Sequence, residues 1–599
     1  MTERKPPIGK AGTGYWTERE REKEQAERVR QTALETILGS IDAGCLTVYN
    51  ENVAKEIRLS GSAEELRAFE YIRDTLEGFG LEPKLEFHDA FISLPGHAEL
   101  IVGSVAYDAI THAMSASTAR LDVPLQYVDA QAIGDHEFNG GAAVVHGLAN
   151  WTVLDRLQQQ GASAAIFINN GTYTHEMIVS AVWGNPASLE DRYPVIPVLS
   201  VNRTDGERIK ARLESGNDGI VHAVIQTEVT TGWLPIPTLT AEIRGQAEPE
   251  QFILFSGHVD SWHYGAMDNG SANAVMLETA RVLSLYRERL RRSVRLAFWS
   301  GHSHGRYAGS ALYSDLHWEE LYENGVLHVN IDSVGAVGAV SLGAANTMAE
   351  TRSLCADAVR VVTEEPFRGS PFGRAGDQSF WGVGLPSVFM GLSYQPDGWF
   401  GWWWHTTEDT LDKLDPAHLV RDCKVYAAAI YHAASAPIVP IDQREAVHAL
   451  QDRVNAYAKL AGEHLDFGRI ELRLRQLAQT VDAFYRLVAS VSPGLSEPGL
   501  RVANRVVLGL SRILVPLNYV RGSVYGHDPA ISQPLVPALA DAELLAASTP
   551  GSDVYYRLRT GLVREMNRFG HELKRAEHLV AAGMDELEKA EAPAHVGNH

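Results

Sequence analysis

The sequence predicts an α/β protein: a sheet of buried, largely parallel strands, interrupted by a mixed β/α insertion and followed by an all-helical region. Three observations carry this. QFILFSGH, SVRLAFWS, VLHVNID and LPSVFMG are short continuous apolar runs, the pattern of strands buried on both faces, and helical stretches such as SANAVMLETARVLSLYRERL lie between several of them. Between about Pro95 and Pro237 the texture changes to shorter strand candidates (AAVVHGL, AAIFINN, PVIPVLSV) around one good helix, NWTVLDRLQQQGA. After about Ile438 the strand signals stop, and REAVHALQDRVNAYAKLAGEHL, IELRLRQLAQTVDAFYRLVASV and DVYYRLRTGLVREMNRFGHELKRAEHLVAAGMDELEKA read as long amphipathic helices.

In chain order, residues 1–28 read as a charged arm leading into a helix. From Glu64, AEELRAFEYIRDTLEGFGLEP repeats apolar positions at helical spacing and stops at Gly80 and Pro83, where a strand, KLEFHDAFISL, follows. With 599 residues the chain exceeds what one core organises, so about three domains are expected. The apolar stripes of the C-terminal helices read most simply as bundle core.

Composition narrows the function classes. A hydrophobic share of 45% and a charged share of 21% are those of an ordinary globular protein. The net charge of -22 argues against nucleic acid or an anionic membrane as partner, because phosphate binding needs clustered Lys and Arg. The three cysteines, Cys45, Cys355 and Cys423, form no C-x-x-C pair and suit a reducing compartment. The first thirty residues lack the apolar core of a secretory signal. The most apolar run, VVLGLSRILVPL, is short of the ~18 residues of a membrane span and carries Arg512. A cytoplasmic location is therefore expected.

Chemistry-bearing residues cluster at predicted strand ends. In FSGHVDSWHYGAMDNGSANAVMLETAR, His258 ends a strand, Asp260 follows two residues later, and Asp268 sits in a Gly-flanked loop before a helix. VLHVNIDSVGA puts Asp332 at another strand end, and WWWHTTEDTLDKLD places His405 in an aromatic loop. A lone strand-end His or Asp is usually a satisfied turn residue. Imidazoles and carboxylates at several adjacent strand ends instead form the donor set of a metal site, with Asp260 able to orient His258.

GHVDSW, AMDNGSANAVMLE, NIDS and WHTTEDTLDKLD resemble, in order and spacing, the successive metal-site motifs of the zinc aminopeptidase and glutamate carboxypeptidase family. GRAGDQSFWGVGLPSVFM resembles that family's substrate-side loop, and the insertion with PVIPVLSVNRTDGERI resembles its protease-associated (apical) domain. The helical tail is similar to the dimerisation domain of the glutamate carboxypeptidase II and transferrin receptor branch. The resemblance covers nearly the whole chain after residue 30. It implies a three-layer peptidase-like mixed sheet over 29–94 and 238–437, a protease-associated domain over 95–237 and a helical dimerisation-like domain over 438–599. It makes Asp268 the carboxylate bridging two metals, with His258 and Asp332 on one side and His405 on the other. It also implies a homodimer.

The pattern breaks in one place. Where the family has two adjacent glutamates, general base then metal ligand, this chain reads WSGHSHGRYAGSALY, with His302 and Ser303 at those positions and His304 next. Three readings follow. His302 or His304 replaces the lost ligand while the other moves protons; imidazole suits both tasks. Alternatively, one metal is lost, leaving a single-ion centre of lyase or oxygen-using type. Otherwise the site is a relic on a dimeric binding or scaffold protein. Histidines gained in the altered loop favour a reworked centre, with His263 as a reserve ligand. The expected activity is therefore a metal-dependent hydrolase cleaving an amide or related C–N bond in a small molecule or short peptide. One or two divalent ions are expected, zinc first, with iron or manganese as alternatives. Trp404 precedes His405 where the family often has Tyr, and the rings around it suggest an aromatic pocket wall. Arg374 and Asp377 are candidates for a substrate carboxylate and amine, and Arg306 lies beside the altered loop.

Overall fold

The structure is a computed structural model and describes residues 25, 27–215, 219–491 and 494–592. The expected charged arm lies, up to residue 24, outside them. Among the described residues, twelve strands form one connected sheet: β1 Lys84–Val102, β2 Val105–Tyr107, β3 Ile110–Thr111, β4 Thr118–Tyr127, β5 Ala142–His146, β6 Ala164–Ile168, β7 Val198–Val201, β8 His222–Ile243, β9 Glu248–His258, β10 Arg292–Trp299, β11 Gly325–Asn330 and β12 Ser387–Val388. The order is β12-β11-β9-β10-β8-β4-β5-β6-β7-β3, with β1 on β8 and β2 on β1. β10, β9, β11 and β12 are mutually parallel. They are the four apolar runs of the sequence.

Each of the core strands buries both faces. Ile253 and Phe255 of β9 face one helix layer, while Phe252 and Leu254 face the other. Helices Ala272–Leu285 and Pro416–Ser435 form the first layer; Ala308–Leu316 and Trp318–Asn324 lie on the opposite side. This is the three-layer mixed α/β arrangement. The parallel strands end together, so the loops after His258, Trp299 and Asn330 converge at one sheet edge.

Strands β1 and β8 pair antiparallel from Lys84 against Thr240 to Val102 against Ala223, with a bulge between Pro95 and Ala98. One end of this ribbon joins β10, and the other joins β4 of the insertion. The expected boundaries at 95 and 237 thus fall within continuous strands. Pro95 sits at the irregularity, where a missing N–H costs no ladder bond.

The C-terminal region is helical throughout its main elements: Gln443–Ala461, Gly468–Val491, Glu497–Tyr519, Asp541–Ala547 and Asp553–Glu591. Its apolar faces share one core with the first helix layer. Among the described residues no helix is long and apolar enough to cross a membrane. VVLGLSRILVPL lies in Glu497–Tyr519, where Arg512 is buried and donates to the carbonyls of Tyr322, Gly384, Leu321 and Gly325. The guanidinium pins the helical region to the sheet, and burial pushes its pKa down to about 10.

Candidate metal centre

His258 is the last residue of β9 and is 1% exposed. Its Nδ1–H donates to the Asp260 carbonyl at 2.9 Å, leaving Nε2 as the outward atom. That Nε2 lies 3.2 Å from Asp268 Oδ1 and 3.7 Å from Asp332 Oδ2, with neither in hydrogen-bonding geometry. The loop between is fixed by Arg58, wholly buried, which donates to the carbonyls of Val259, Tyr264 and Gly265. Gly265 has φ 53°, and a Cβ there would stand 2.3 Å from the Asp268 carbonyl, so only glycine lets the loop fold onto itself.

Asp268 stands between two imidazoles. Its Oδ2 is 3.0 Å from His405 Nε2, and the His405 Nδ1–H donates to the Glu176 carbonyl at 2.7 Å. Asp409, in the same HTTED segment as His405, accepts from the N–H groups of Met267 and Asp268 at 2.9 and 3.0 Å. Burial pushes the Asp409 pKa up to about 7. The indole of Trp404 stacks on His405 with ring centroids 3.4 Å apart, held against the imidazole face.

His302 closes the constellation. Its ring stacks on His258 at 3.8 Å and 9°, and one ligand atom from each of His258, His302 and Asp332 lies within 4.8 Å of the others. His304 is not part of that group. It is wholly buried with Nδ1 2.9 Å from Ser60 Oγ, and Ser60 donates to Asp260 Oδ2 at 2.6 Å. Residues 302 and 304 lie on a turn rather than an extended strand, so period-two alternation does not bring both to one face. Ser303, at the expected second-ligand position, turns its backbone N–H to Asp260 Oδ2 at 2.9 Å. The intermediate exposure of His263, whose pKa burial lowers to about 4, places it at the rim, outside the converging set.

The substrate-side expectations are corrected in three places. Asp377 is 1% exposed and committed: it accepts His302 Nδ1–H at 2.9 Å and Ser310 Oγ–H at 2.7 Å, leaving no open face for an amine. Arg374 is sandwiched between Trp183 and Trp381 at 4.4 and 5.1 Å and donates to the Asp528 carbonyl, so it braces the fold. Arg306 donates to the Ala530 carbonyl. Both arginines are long side chains drawn to carbonyls of the 520–531 loop, which linear sequence does not place nearby.

The electrostatics suit a cation. Burial alone would lower the His258 pKa, yet Asp260, Asp268 and Asp332 outweigh it and hold the imidazole well above its ordinary range. Burial likewise opposes ionisation of Asp268, and His258 with His405 overcomes it, holding that carboxyl well below the usual range. Such a set of buried carboxylates needs positive charge beside it. The orphaned Nε2 of His258 between two carboxylates is the atom a divalent ion would take. Two imidazoles and a carboxylate with Asp268 alongside fit zinc, iron or manganese.

Residues 238–430 match the profile of peptidase family M28. This sheet region is similar to peptidase family M28. Among curated proteins, the probable glutamate carboxypeptidase VP8 of Zea mays is 25% identical over 246 residues, 36% of this chain and 33% of that protein. Carboxypeptidase Q of Bos taurus is 24% identical over 406 residues, 63% of this chain and 82% of the relative. The chain thus spans only a third of the maize relative's length. An aminopeptidase from Aneurinibacillus sp. strain AM-1 superposes with a TM-score of 0.52 at 22% identity, covering 67% of this chain and 96% of the other. A peptidase M28 precursor from Shewanella amazonensis gives 0.54 at 20%, covering 70% and 98%. These likenesses show the family fold. Sequence reasoning missed Ser60 and Arg58, which carry no motif, and did not use Asp409, although it stands in the quoted WHTTEDTLDKLD.

Proposed function

We propose that this chain is a metal-dependent hydrolase of an amide or related C–N bond in a small substrate, built around one divalent ion held by His258, His302 and Asp332 with Asp268 beside them. The convergence of those ligand atoms, with Asp377 orienting His302, is the observation that carries it. Zinc is the first choice, because the Bacillus subtilis relative of the same fold is described as a zinc aminopeptidase. When bound, the cation supplies Lewis acidity, acidifying water and polarising a carbonyl.

The remaining work falls to the chain. Backbone and carboxylate acceptors fix the Nδ1–H of His258, His302 and His405, so every Nε2 turns inward. His405 Nε2 lies 3.0 Å from Asp268 Oδ2 and is the imidazole placed to pass a proton to a leaving nitrogen, a role expected of His304, which is sealed behind Ser60. One observation favours a second reading: Asp268 offers one oxygen to each of two imidazoles, as a two-ion centre would need. With Ser303 supplying no side-chain ligand, that second position has only His405 and Asp268 of its own.

Metal content per chain, measured on protein purified without added metal or chelator, tests this. One tightly held ion, lost in His302→Ala together with turnover of a panel of acyl and aminoacyl amides, is the expected result. Two ions select the paired reading. No metal even after reconstitution overturns the hydrolase and leaves a binding protein.

A further inference from the structure

A cleft of 520 Å³ lies where the insertion, the sheet and the C-terminal region meet. Its walls are aromatic: Trp151 and Trp183 come from the insertion, Trp318 from the second helix layer and Tyr525 from the loop after Glu497–Tyr519. Trp318 packs on Tyr525 at 4.8 Å and on Tyr322 at 5.0 Å, so this wall is a braced platform. The rim is acidic in balance. Glu190, Asp191 and Asp315 stand against one guanidinium, Arg192, which lies 3.5 Å from Asp155 and 5.9 Å over the Trp151 ring, and one imidazole, His527, whose Nε2 is 3.0 Å from Asp315 Oδ1. Aromatic faces and carboxylates together recognise an organic cation with an apolar body.

Trp183 also begins a buried chain to the candidate centre. Its indole N–H donates to Ser379 Oγ at 2.9 Å, Ser379 lies 2.9 Å from Ser310 Oγ, and Ser310 donates to Asp377 Oδ1 at 2.7 Å. The other Asp377 oxygen takes His302 Nδ1–H at 2.9 Å. With the Ser310 hydrogen given to the Asp377 carboxylate at 2.7 Å rather than to the Tyr307 carbonyl at 3.2 Å, Ser379 donates to Ser310, and every hydrogen in the chain points toward Asp377. Such aligned chains polarise one another. Ring contacts run in parallel, Trp183 to Tyr307 at 4.4 Å and Tyr307 to His302 at 4.9 Å. Trp183 and Tyr307 are 4% and 5% exposed, so they also wall the cleft off from His302.

We propose that this cleft is a second binding site, for an organic ammonium ligand, and that its occupancy is transmitted to His302 through Trp183, Ser379, Ser310 and Asp377. Only the transmission rests on the assignment of His302; binding does not. Coupling of this kind is a difference in free energy between sites and is read by measuring both.

Titration calorimetry of the metal-free full chain with benzyltrimethylammonium tests the binding, with phenylacetate as the anionic control. Saturable binding about tenfold tighter than phenylacetate, weakened about tenfold by Trp318→Ala, is expected. No saturable binding, or equal binding of the anion, overturns the site. Imidazole NMR of the same metal-free protein tests transmission, the His302 signals being assigned by their loss in His302→Gln. The cation shifts those signals in the wild type; Ser379→Ala, outside the cleft lining, keeps the Kd and abolishes the shift. A shift that survives in Ser379→Ala overturns the relay. Both measurements use metal-free protein, so failure of the hydrolase reading leaves them interpretable.

Discussion

Glu350 offers a sharp test of how the sheet region meets the helical region. It lies just ahead of the helix Arg352–Arg360, is 1% exposed, and both its carboxyl oxygens lack a partner. Its carbonyl accepts the N–H of Asp442, the residue that caps helix Gln443–Ala461. Burial pushes its pKa from 4.5 up to about 7. The folded state therefore holds a proton that the unfolded chain releases between these values. Stability from this group is intact below about pH 4.5, falls as pH rises through the window, and is flat above about pH 7. The difference, 7 − 4.5, is about 2.5 units, and at about 1.4 kcal/mol each it costs about 3 kcal/mol. With an unfolding entropy of about 2.1 cal/mol/K per residue over 599 residues, that is a midpoint shift of about 2–3 °C if the regions melt together. Glu350→Gln keeps the shape of the protonated acid and cannot ionise. Calorimetric melts at pH 5 and pH 8 are expected to show wild type losing about 2–3 °C more than the variant. Parallel behaviour of the two proteins would refute the buried-acid argument.

Further outcomes follow from named contacts. Asp377→Asn is expected to weaken metal binding about 10- to 100-fold in a chelator competition, with unchanged circular dichroism, because it loosens the partner of His302. Unchanged affinity would show that Asp377 does not orient the ligand. Arg512→Met leaves the carbonyls of Tyr322, Gly384 and Gly325 without their charged donor and is expected to cost about 3 kcal/mol in urea unfolding; a loss below about 1 kcal/mol counts against the pin. The proposed homodimer predicts a light-scattering mass of two 65.7 kDa chains, and a monomer at micromolar concentration sinks it.

Much of the fold was legible because its signals are local. β9, β10 and β11 are buried on both faces, which writes continuous apolar runs into the sequence. The helix Glu497–Tyr519 was less so: its run VVLGLSRILVPL is interrupted by Arg512, and only packing shows that this guanidinium has carbonyls to bind. Strand-end ligands were readable because each terminates its own run. The partners of those ligands were not. Asp377 reaches His302 across 75 residues, Ser60 reaches Asp260 across 200, and neither sits in a periodic pattern. Arg374 and Arg306 misled for the same reason, since a guanidinium near a site in sequence can satisfy itself on a distant loop.

His302 stands where the general base is expected, and its use as a metal ligand makes sense only together with Asp377. A carboxylate ligand needs no orienting acid, whereas an imidazole must have its second nitrogen held. His302 adds no negative charge, and the Asp377 carboxylate behind it, kept ionised by His302 against the cost of burial, supplies that charge from one step further out. Restoring the family residue alone is therefore expected to fail. His302→Glu sets a carboxylate against a buried carboxylate at the 2.9 Å contact that His302 now makes, and two such groups do not both ionise. One is then protonated and the centre loses a ligand or its support. The double change His302→Glu with Asp377→Asn removes that conflict and is expected to bind zinc more tightly than His302→Glu alone, by about tenfold or more. Equal zinc affinities of the single and double variants would show that the two positions are independent, and the replaced loop would then be a loss rather than a redesign.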